Sequence, residues 1–202
     1  MKDGIAFFDF DGTITSKDTM FELIKYRKGK LSFYLGLIRL SPWLIAMKLR
    51  LLSNTGAKEK LLSYFFHGTP HSDFQNACNL FIQEKLPNLV RPEALQEIAM
   101  HKKNKITVVV VSASAENWIS GWCVQHQILC IGTKLEIRDG VITGKIDGKN
   151  CNGIEKVRRI KERYPLHEFK SIWAYGDTKG DKPMLSLAAF PNYKPFRKKS
   201  SM

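Results

Sequence analysis

The sequence predicts an α/β fold, a doubly wound and mainly parallel sheet with a helical cap inserted after the first strand. Three observations carry that expectation. Short apolar runs at Ile5–Phe8, Ile106–Val111 and Ser171–Tyr175 each break off into a polar loop, as buried parallel strands do at a ligand-binding edge. Segments with helical apolar spacing alternate with the runs. The largely helical stretch 16–88 lies between the first strand and the rest, far longer than the dozen or so residues a crossover needs. The core is therefore placed at 1–15 and 89–202, and the cap at 16–88.

In chain order, Ile5-Ala6-Phe7-Phe8 is the first strand and ends at Asp9-Phe10-Asp11-Gly12-Thr13. Asp18 or Ser16 can cap a helix through Thr19–Tyr26, which Gly29 ends. Leu31–Ser53 is the most apolar stretch, yet Arg39, Lys48 and Arg50 interrupt it and Pro42 breaks it. No uncharged run approaches the ~20 residues of a bilayer span. It reads as a buried helical hairpin, with a segment lying on lipid as the other reading. Ala57–Phe66 and Ser72–Leu86 are further helices, the second carrying Phe74, Ala77, Cys78, Phe81 and Ile82 at helical spacing. Pro92 suits the first position of a helix ending at Lys103. Ile106–Val111 is a central strand, expected to end at Ser112-Ala113-Ser114, before a helix through Trp122 and a short strand Ile128–Ile131. Leu135–Ile137 and Val141–Thr143 flank Arg138-Asp139-Gly140, a hairpin signal. A basic helix, Gly153–Arg163, leads to the strand Ser171–Tyr175 and the loop Gly176-Asp177-Thr178-Lys179-Gly180-Asp181.

Composition narrows the class. At 202 residues, 44% hydrophobic and 25% charged, the chain has the make-up of one globular domain with an inserted subdomain, not of a disordered one. Residues 1–4 are followed by only four apolar residues and then the Asp pair, so no signal peptide is expected and the location is read as cytoplasmic. Cys78, Cys123, Cys130 and Cys151 show no metal-binding spacing and read as idle thiols. The net charge of +13 is uneven: Lys25, Arg27, Lys28, Lys30, Arg39, Lys48, Arg50, Lys58 and Lys60 face only Glu59 in that stretch. Such a field attracts anions, whether phosphorylated metabolites, anionic lipid or nucleic acid. The aromatic residues lie in apolar runs instead of alternating with Lys or Arg, so no nucleic-acid partner is expected. A basic protein binding nucleic acid or a membrane surface, without catalysis, is the rival class. Peripheral contact with the inner membrane surface through the basic cap is a further expectation.

The chemistry concentrates in four polar clusters at strand or helix ends: Asp9/Asp11, Ser112, Lys156 and Asp177/Asp181. Two carboxylates one residue apart at a strand's C-terminal edge can share a hard divalent cation, or divide the work of nucleophile and proton donor. Lys145 and Lys149 are alternatives to Lys156, which is preferred because Gly153-Ile154-Glu155-Lys156 opens a helix.

In this order the clusters resemble the haloacid dehalogenase superfamily of phosphohydrolases, and the helical insertion resembles its phosphoserine-phosphatase-like branch. FDFDGT at Phe8–Thr13 with its preceding Phe7, and YGDTKGD at Tyr175–Asp181, carry the resemblance, which spans nearly the whole chain. It implies a Rossmann-like core and an Mg²⁺-dependent phosphomonoesterase working through an aspartyl-phosphate. Asp9 would be the nucleophile and Asp11 the general acid and base. Asp9, the Asp11 backbone carbonyl and Asp177 would hold Mg²⁺, with Asp181 supporting the shell. Ser112, Lys156, Gly12 and Ala113 would form the phosphate-binding set. The second Asp distinguishes phosphatases and phosphomutases from dehalogenases, which have no alkoxide to protonate. Asp18 occupies the position where phosphoserine phosphatases place a Glu that reads the substrate's amino group, though Asp18 also reads as a helix cap. Asp18 and Arg39 are the cap residues assigned to substrate. The implied substrate is a phosphorylated metabolite or a phospholipid head group, phosphatidylglycerophosphate-like, with phosphoserine or another small metabolite as the alternative.

Overall fold

The computed structural model describes residues 2–49 and 53–197. Arg50, Leu51 and Leu52 of the apolar stretch, and Lys198 and Lys199 of the basic tail, lie outside the described residues. The chain runs β1 (Ile5–Phe8), α1 (Thr19–Lys28), α2 (Lys30–Arg39), α3 (Ser41–Lys48), α4 (Asn54–Phe66), β2 (Thr69–Pro70) and α5 (His71–Glu84). It continues through α6 (Pro92–Lys103), β3 (Thr107–Ala115), α7 (Glu116–Gln125), β4 (Leu129–Arg138), β5 (Val141–Asp147), α8 (Ile154–Arg163), β6 (Ile172–Gly176), α9 (Lys182–Leu185) and β7 (Phe190–Tyr193).

The strands form one sheet in the order β2-β5-β4-β3-β1-β6-β7. β4, β3, β1, β6 and β7 are mutually parallel, whereas β5 pairs antiparallel with β4 and β2 with β5. The sheet is thus mainly parallel, as expected. β1 is central because each of its four residues is apolar and can be covered on both faces. Ile5 and Phe7 point to the side of Ile160 in α8 and Met184 in α9. Ala6 and Phe8 point to the opposite side, with Ile98 of α6, Trp118 of α7 and Phe81 of α5. From β1 the parallel strands proceed to β3 and β4 on one side and to β6 and β7 on the other, so the crevice at its C-terminal end is where the strand order reverses.

Helices α1, α2, α4 and α5 share the Phe8 side of this core through Leu23, Ile24, Phe33, Leu61, Leu62, Phe65 and Phe74. α1 begins where Asp18, not Ser16, accepts the Phe21 amide at 3.1 Å. It ends before Gly29, whose φ of 85° suits glycine. All four cysteines are free, three of them buried.

Several expectations are corrected. The stretch from Leu31 is not a buried hairpin. Phe33 and Gly36 of α2 and Leu40 at its end face inward, Gly36 lying so close to the Phe65 ring that a Cβ would collide with it, but Leu31, Tyr34, Leu35 and Ile38 are exposed. A ten-residue helix packed on one side, here against Phe21 of α1 and Phe65 of α4, buries a single stripe, and α2 is apolar on two. β3 does not stop at Ser112 but continues to Ala115, because after a bulge Ala115 pairs with Thr133. The short strand at 128–131 and the first arm of the hairpin are one strand, β4, which pairs with β3 as far as Thr133 and with β5 from Lys134. β2 and β7 gave no strand signal because each is short and contains a proline, tolerated at sheet edges.

Candidate active site

The loop after β1 brings two carboxylates out of the sheet in different directions. The Asp9 amide donates to Tyr175 O of β6 at 2.9 Å, which fixes the loop to the neighbouring strand. Gly12 is obligatory here: its φ is 80°, and a Cβ would collide with the Asp177 carboxylate. Thr13 Oγ1 lies 3.3 Å from Asp9 Oδ2 and 3.5 Å from Asp177 Oδ1, so its hydroxyl can donate to either. The Asp11 side chain turns away from this cluster. Its Oδ1 accepts the Thr19 amide at 2.8 Å and the Thr19 hydroxyl at 2.6 Å, and its Oδ2 accepts the Ser114 hydroxyl. Trp118 Nε1 donates to Thr19 Oγ1 at 3.1 Å, so the orientation of Asp11 is held by the helix that opens the insertion and by the end of β3.

The first turn of α8 carries Lys156 into the same crevice, where its side chain is 1% exposed. Its ammonium donates to Asp9 Oδ1 at 2.6 Å and to Asp181 Oδ1 at 2.7 Å. Asp181 Oδ2 accepts the Thr178 amide and hydroxyl and the Asp177 amide, which ties the loop after β6 around one carboxylate. Lys145 instead faces Glu59 at 3.7 Å, with its side chain 57% exposed, and Lys149 contributes its carbonyl to Arg159.

Carboxyl oxygens of Asp9, Asp177 and Asp181, all buried, lie within 4.8 Å of one another. Burial pushes Asp9 up to about 7, with Asp181 and Asp11 acting in the same direction and Lys156 against it. Burial also raises Asp177, although its partner Arg197 opposes the shift. Asp181 stays below the ordinary range: burial would raise it, but Lys156 and the Thr178 donors outweigh burial. Lys156 is itself raised, since the attraction of Asp9 and Asp181 exceeds the cost of burying its charge. Lys156 therefore compensates only part of the cluster's negative charge. Three converging carboxylates with no nitrogen or sulfur donor among them are the ligand chemistry of a hard cation, and Mg²⁺ fits this set.

A cavity of about 450 Å³ opens above the cluster. Its floor includes Asp9, Asp11, Ser112, Ala113, Lys156 and Asp181. Ser112 Oγ accepts the Ser114 amide at 3.0 Å. Gly12 sits in the adjoining loop against Asp177. Asp18 lines the mouth while capping α1; although its outer edge is exposed, the surrounding protein desolvates its carboxyl and Asp11 repels it, which raises it to about 6. Arg39 does not belong to this lining: it is exposed at the end of α2, and Leu37 of the same helix faces the cavity instead. Sequence reasoning missed Lys58, whose ammonium reaches from α4 to donate to Ala113 O at 2.5 Å. In the sequence Lys58 was one basic residue among nine, and no spacing distinguished it. Thr19 and Ser114, which hold Asp11, were likewise hidden in a helix start and a strand end.

Residues 6–186 match the model of the haloacid dehalogenase-like hydrolase family. Protein CicA of Caulobacter vibrioides is 35% identical over 196 residues, covering 95% of this chain and 86% of that protein. A Bordetella pertussis Tohama I protein of unknown function superposes with a TM-score of 0.81 at 19% identity, covering 93% of this chain and 88% of its own. A phospho-aspartyl intermediate analogue of phosphoserine phosphatase superposes with a TM-score of 0.66 at 17% identity, covering 93% and 84%. The fold is thus one that phosphatases of this kind share. With the family model spanning most of its length, the chain belongs to the haloacid dehalogenase-like hydrolases.

Proposed function

We propose that this hydrolase is an Mg²⁺-dependent phosphomonoesterase that works through an aspartyl-phosphate on Asp9. The observation that carries the reading is the pairing of Asp9 with Lys156 at 2.6 Å inside the Asp9/Asp177/Asp181 cluster, at the sheet's switch point. A buried carboxylate at the floor of a cavity, with a lysine beside it, is placed to meet a phosphoryl group whose charge needs offsetting. Asp9, Asp177 and the Asp11 backbone carbonyl would hold Mg²⁺, with Asp181 supporting them. When bound, the ion would neutralise the crowded carboxylates and the phosphoryl oxygens.

In this reading an Asp9 oxygen attacks phosphorus and the bond to the leaving oxygen breaks. Asp11 delivers a proton to that oxygen, releasing an alcohol. Asp11 then takes a proton from water, whose oxygen displaces Asp9, so that phosphate leaves and both carboxyls return to their starting state. Thr19 and Ser114 keep Asp11 aimed for both transfers. Ser112 and Lys156 steady the phosphoryl oxygens, with the Gly12 and Ala113 backbone beside them.

The helical segment 16–88 acts as the cap over this site. Met20, Phe21, Leu37, Ala57 and Leu61 give the cavity mouth an apolar wall, which supports a phosphorylated metabolite with an apolar part or a phospholipid head group, phosphatidylglycerophosphate-like. A second reading, phosphoserine or a similar zwitterion, is favoured by Asp18 and Lys58, an anion and a cation that line the same cavity.

The test is hydrolysis of p-nitrophenyl phosphate with Mg²⁺, with chelator, and with Ca²⁺, together with intact-mass spectrometry of acid-quenched enzyme. The expected result is turnover lost in chelator, poor rescue by Ca²⁺, and an adduct of one phosphoryl group absent from Asp9→Asn. Full turnover in excess chelator would refute the metal, and no adduct under rapid quench would refute the covalent route. A kcat/KM comparison of lysophosphatidate with phosphoserine separates the two substrate readings.

A further inference from the structure

α2 carries two apolar stripes, and only one is accounted for by the fold. Phe33, Gly36, Leu37 and Leu40 recur at i, i+3, i+4 and i+7 and turn inward. Leu31, Tyr34, Leu35 and Ile38 recur with the same spacing and turn outward, at 74%, 55%, 55% and 69% exposure. Soluble proteins seldom leave side chains of this size uncovered at contiguous helical positions. Trp43 and Ile45 of α3, and Leu49 just after it, prolong the exposed apolar character.

The rim of the stripe is cationic. Arg27, Lys28 and Lys30 stand exposed before it and Arg39 after it. Glu59, the acidic residue of this basic stretch, is turned elsewhere, accepting the Ile146 amide at 3.0 Å and facing Lys145. An apolar stripe flanked by basic residues that make no ion pair among the described residues, with Tyr34 and Trp43 along it, has the chemistry of a helix lying at the boundary of a lipid layer. Among the described residues no helix is long and apolar enough to cross a membrane, and ten residues span only ~15 Å against a hydrocarbon core of ~30 Å, so the face would lie on the surface instead of spanning it. A second copy of the chain is the poorer occupant, because its rim would bring like charges together.

We propose that the outward stripe of α2 docks this protein on an anionic lipid surface. The inference stands on the exposed face alone and does not depend on the chemistry assigned to Asp9.

The experiment is cosedimentation of the full chain with vesicles of phosphatidylcholine, alone or with phosphatidylglycerol. The chain should sediment with the anionic vesicles, less so as salt is raised, and not with the neutral ones. Leu31→Ser combined with Ile38→Ser should lower the bound fraction about tenfold or more, while hydrolysis of a small soluble phosphate reports an intact fold. Arg27→Glu with Lys30→Glu should weaken partitioning by roughly fivefold or more for each cation removed. Failure to sediment with anionic vesicles, or binding unaffected by the serine pair, would overturn the proposal. So would light scattering that shows a dimer abolished by the same serine pair, since the face would then belong to a second copy.

Discussion

Arg197 Nη2 lies 2.7 Å from Asp177 Oδ2, so the C-terminal strap delivers a cation to one of the clustered carboxylates. The strap is anchored just before it. The Phe196 ring stacks on Tyr175 at 5.7 Å, Tyr175 stacks on Phe8 at 4.1 Å, and Arg91 Nη1 donates to Phe196 O at 3.2 Å. Arg197 therefore competes with any cation for the oxygens of Asp177. Because the guanidinium is half exposed, its pair is worth at most ~1 kcal/mol. Arg197→Gln should tighten Mg²⁺ binding by up to ~5-fold, measured by titration calorimetry on chelator-treated protein. Weaker Mg²⁺ binding in the variant would instead make Arg197 a residue that orients Asp177 for the ion.

The two loop carboxylates should fail differently. Asp9→Asn removes the proposed nucleophile and should leave almost no turnover of p-nitrophenyl phosphate. Asp11→Asn removes a proton carrier, a loss of about 10²–10⁴-fold, and should allow the phosphorylated enzyme to accumulate. Single-turnover quench assays read both. Substantial turnover by Asp9→Asn would rule out the covalent route.

Lys156→Met leaves Asp9 and Asp181 without the ammonium that both accept. Removing one partner of a buried ion pair costs about 3–5 kcal/mol. The lower end is expected at neutral pH, because Asp9 is already raised to about 7 and can neutralise itself. Urea unfolding should show this loss in chelator and a smaller one with Mg²⁺ present, since the ion restores a partner to the carboxylates. Equal loss in both conditions would mean that the cation does not reach this cluster.

Glu155, next to Lys156, is held by Arg158 Nη2 at 2.6 Å and Arg159 Nε at 2.8 Å, and Arg159 also donates to Gly132 O and Lys149 O. Hydrogen bonds from Arg158 first, and then from Arg159, lower Glu155 from 4.5 to about 2. A carboxyl lowered in the folded state adds stability above its unfolded value, and that contribution disappears as pH falls through the folded one. Glu155→Gln should therefore destabilise the protein near neutrality, with the difference from wild type shrinking between pH 4.5 and about 2. Thermal melts across that range check it; a constant difference would show that packing, not charge, is responsible.

The amino-acid order alone determined the parallel sheet and the loops that end it. An apolar run such as Ile5–Phe8 demands cover on both faces, and local chemistry dictates the turn at the end of it and of Ile172–Tyr175. Asp9, Asp11, Asp177 and Asp181 were legible for that reason, since short loops on rigid strands have little freedom in where they project. Edge strands β2 and β7 were not, because two to four residues with a proline carry no period of their own.

Tertiary structure decided what depends on distance in sequence. Lys58 meets Ala113 across 55 residues and Ser114 meets Asp11 across 103, contacts that no local pattern encodes. It also decided between the two apolar stripes of α2, which have identical spacing and differ chiefly in that the inward one carries Gly36. Hydrophobicity says that a stripe prefers cover but not which stripe receives it. Packing against the Phe65 ring gave cover to Phe33 and Gly36 and left Leu31 and Ile38 facing out.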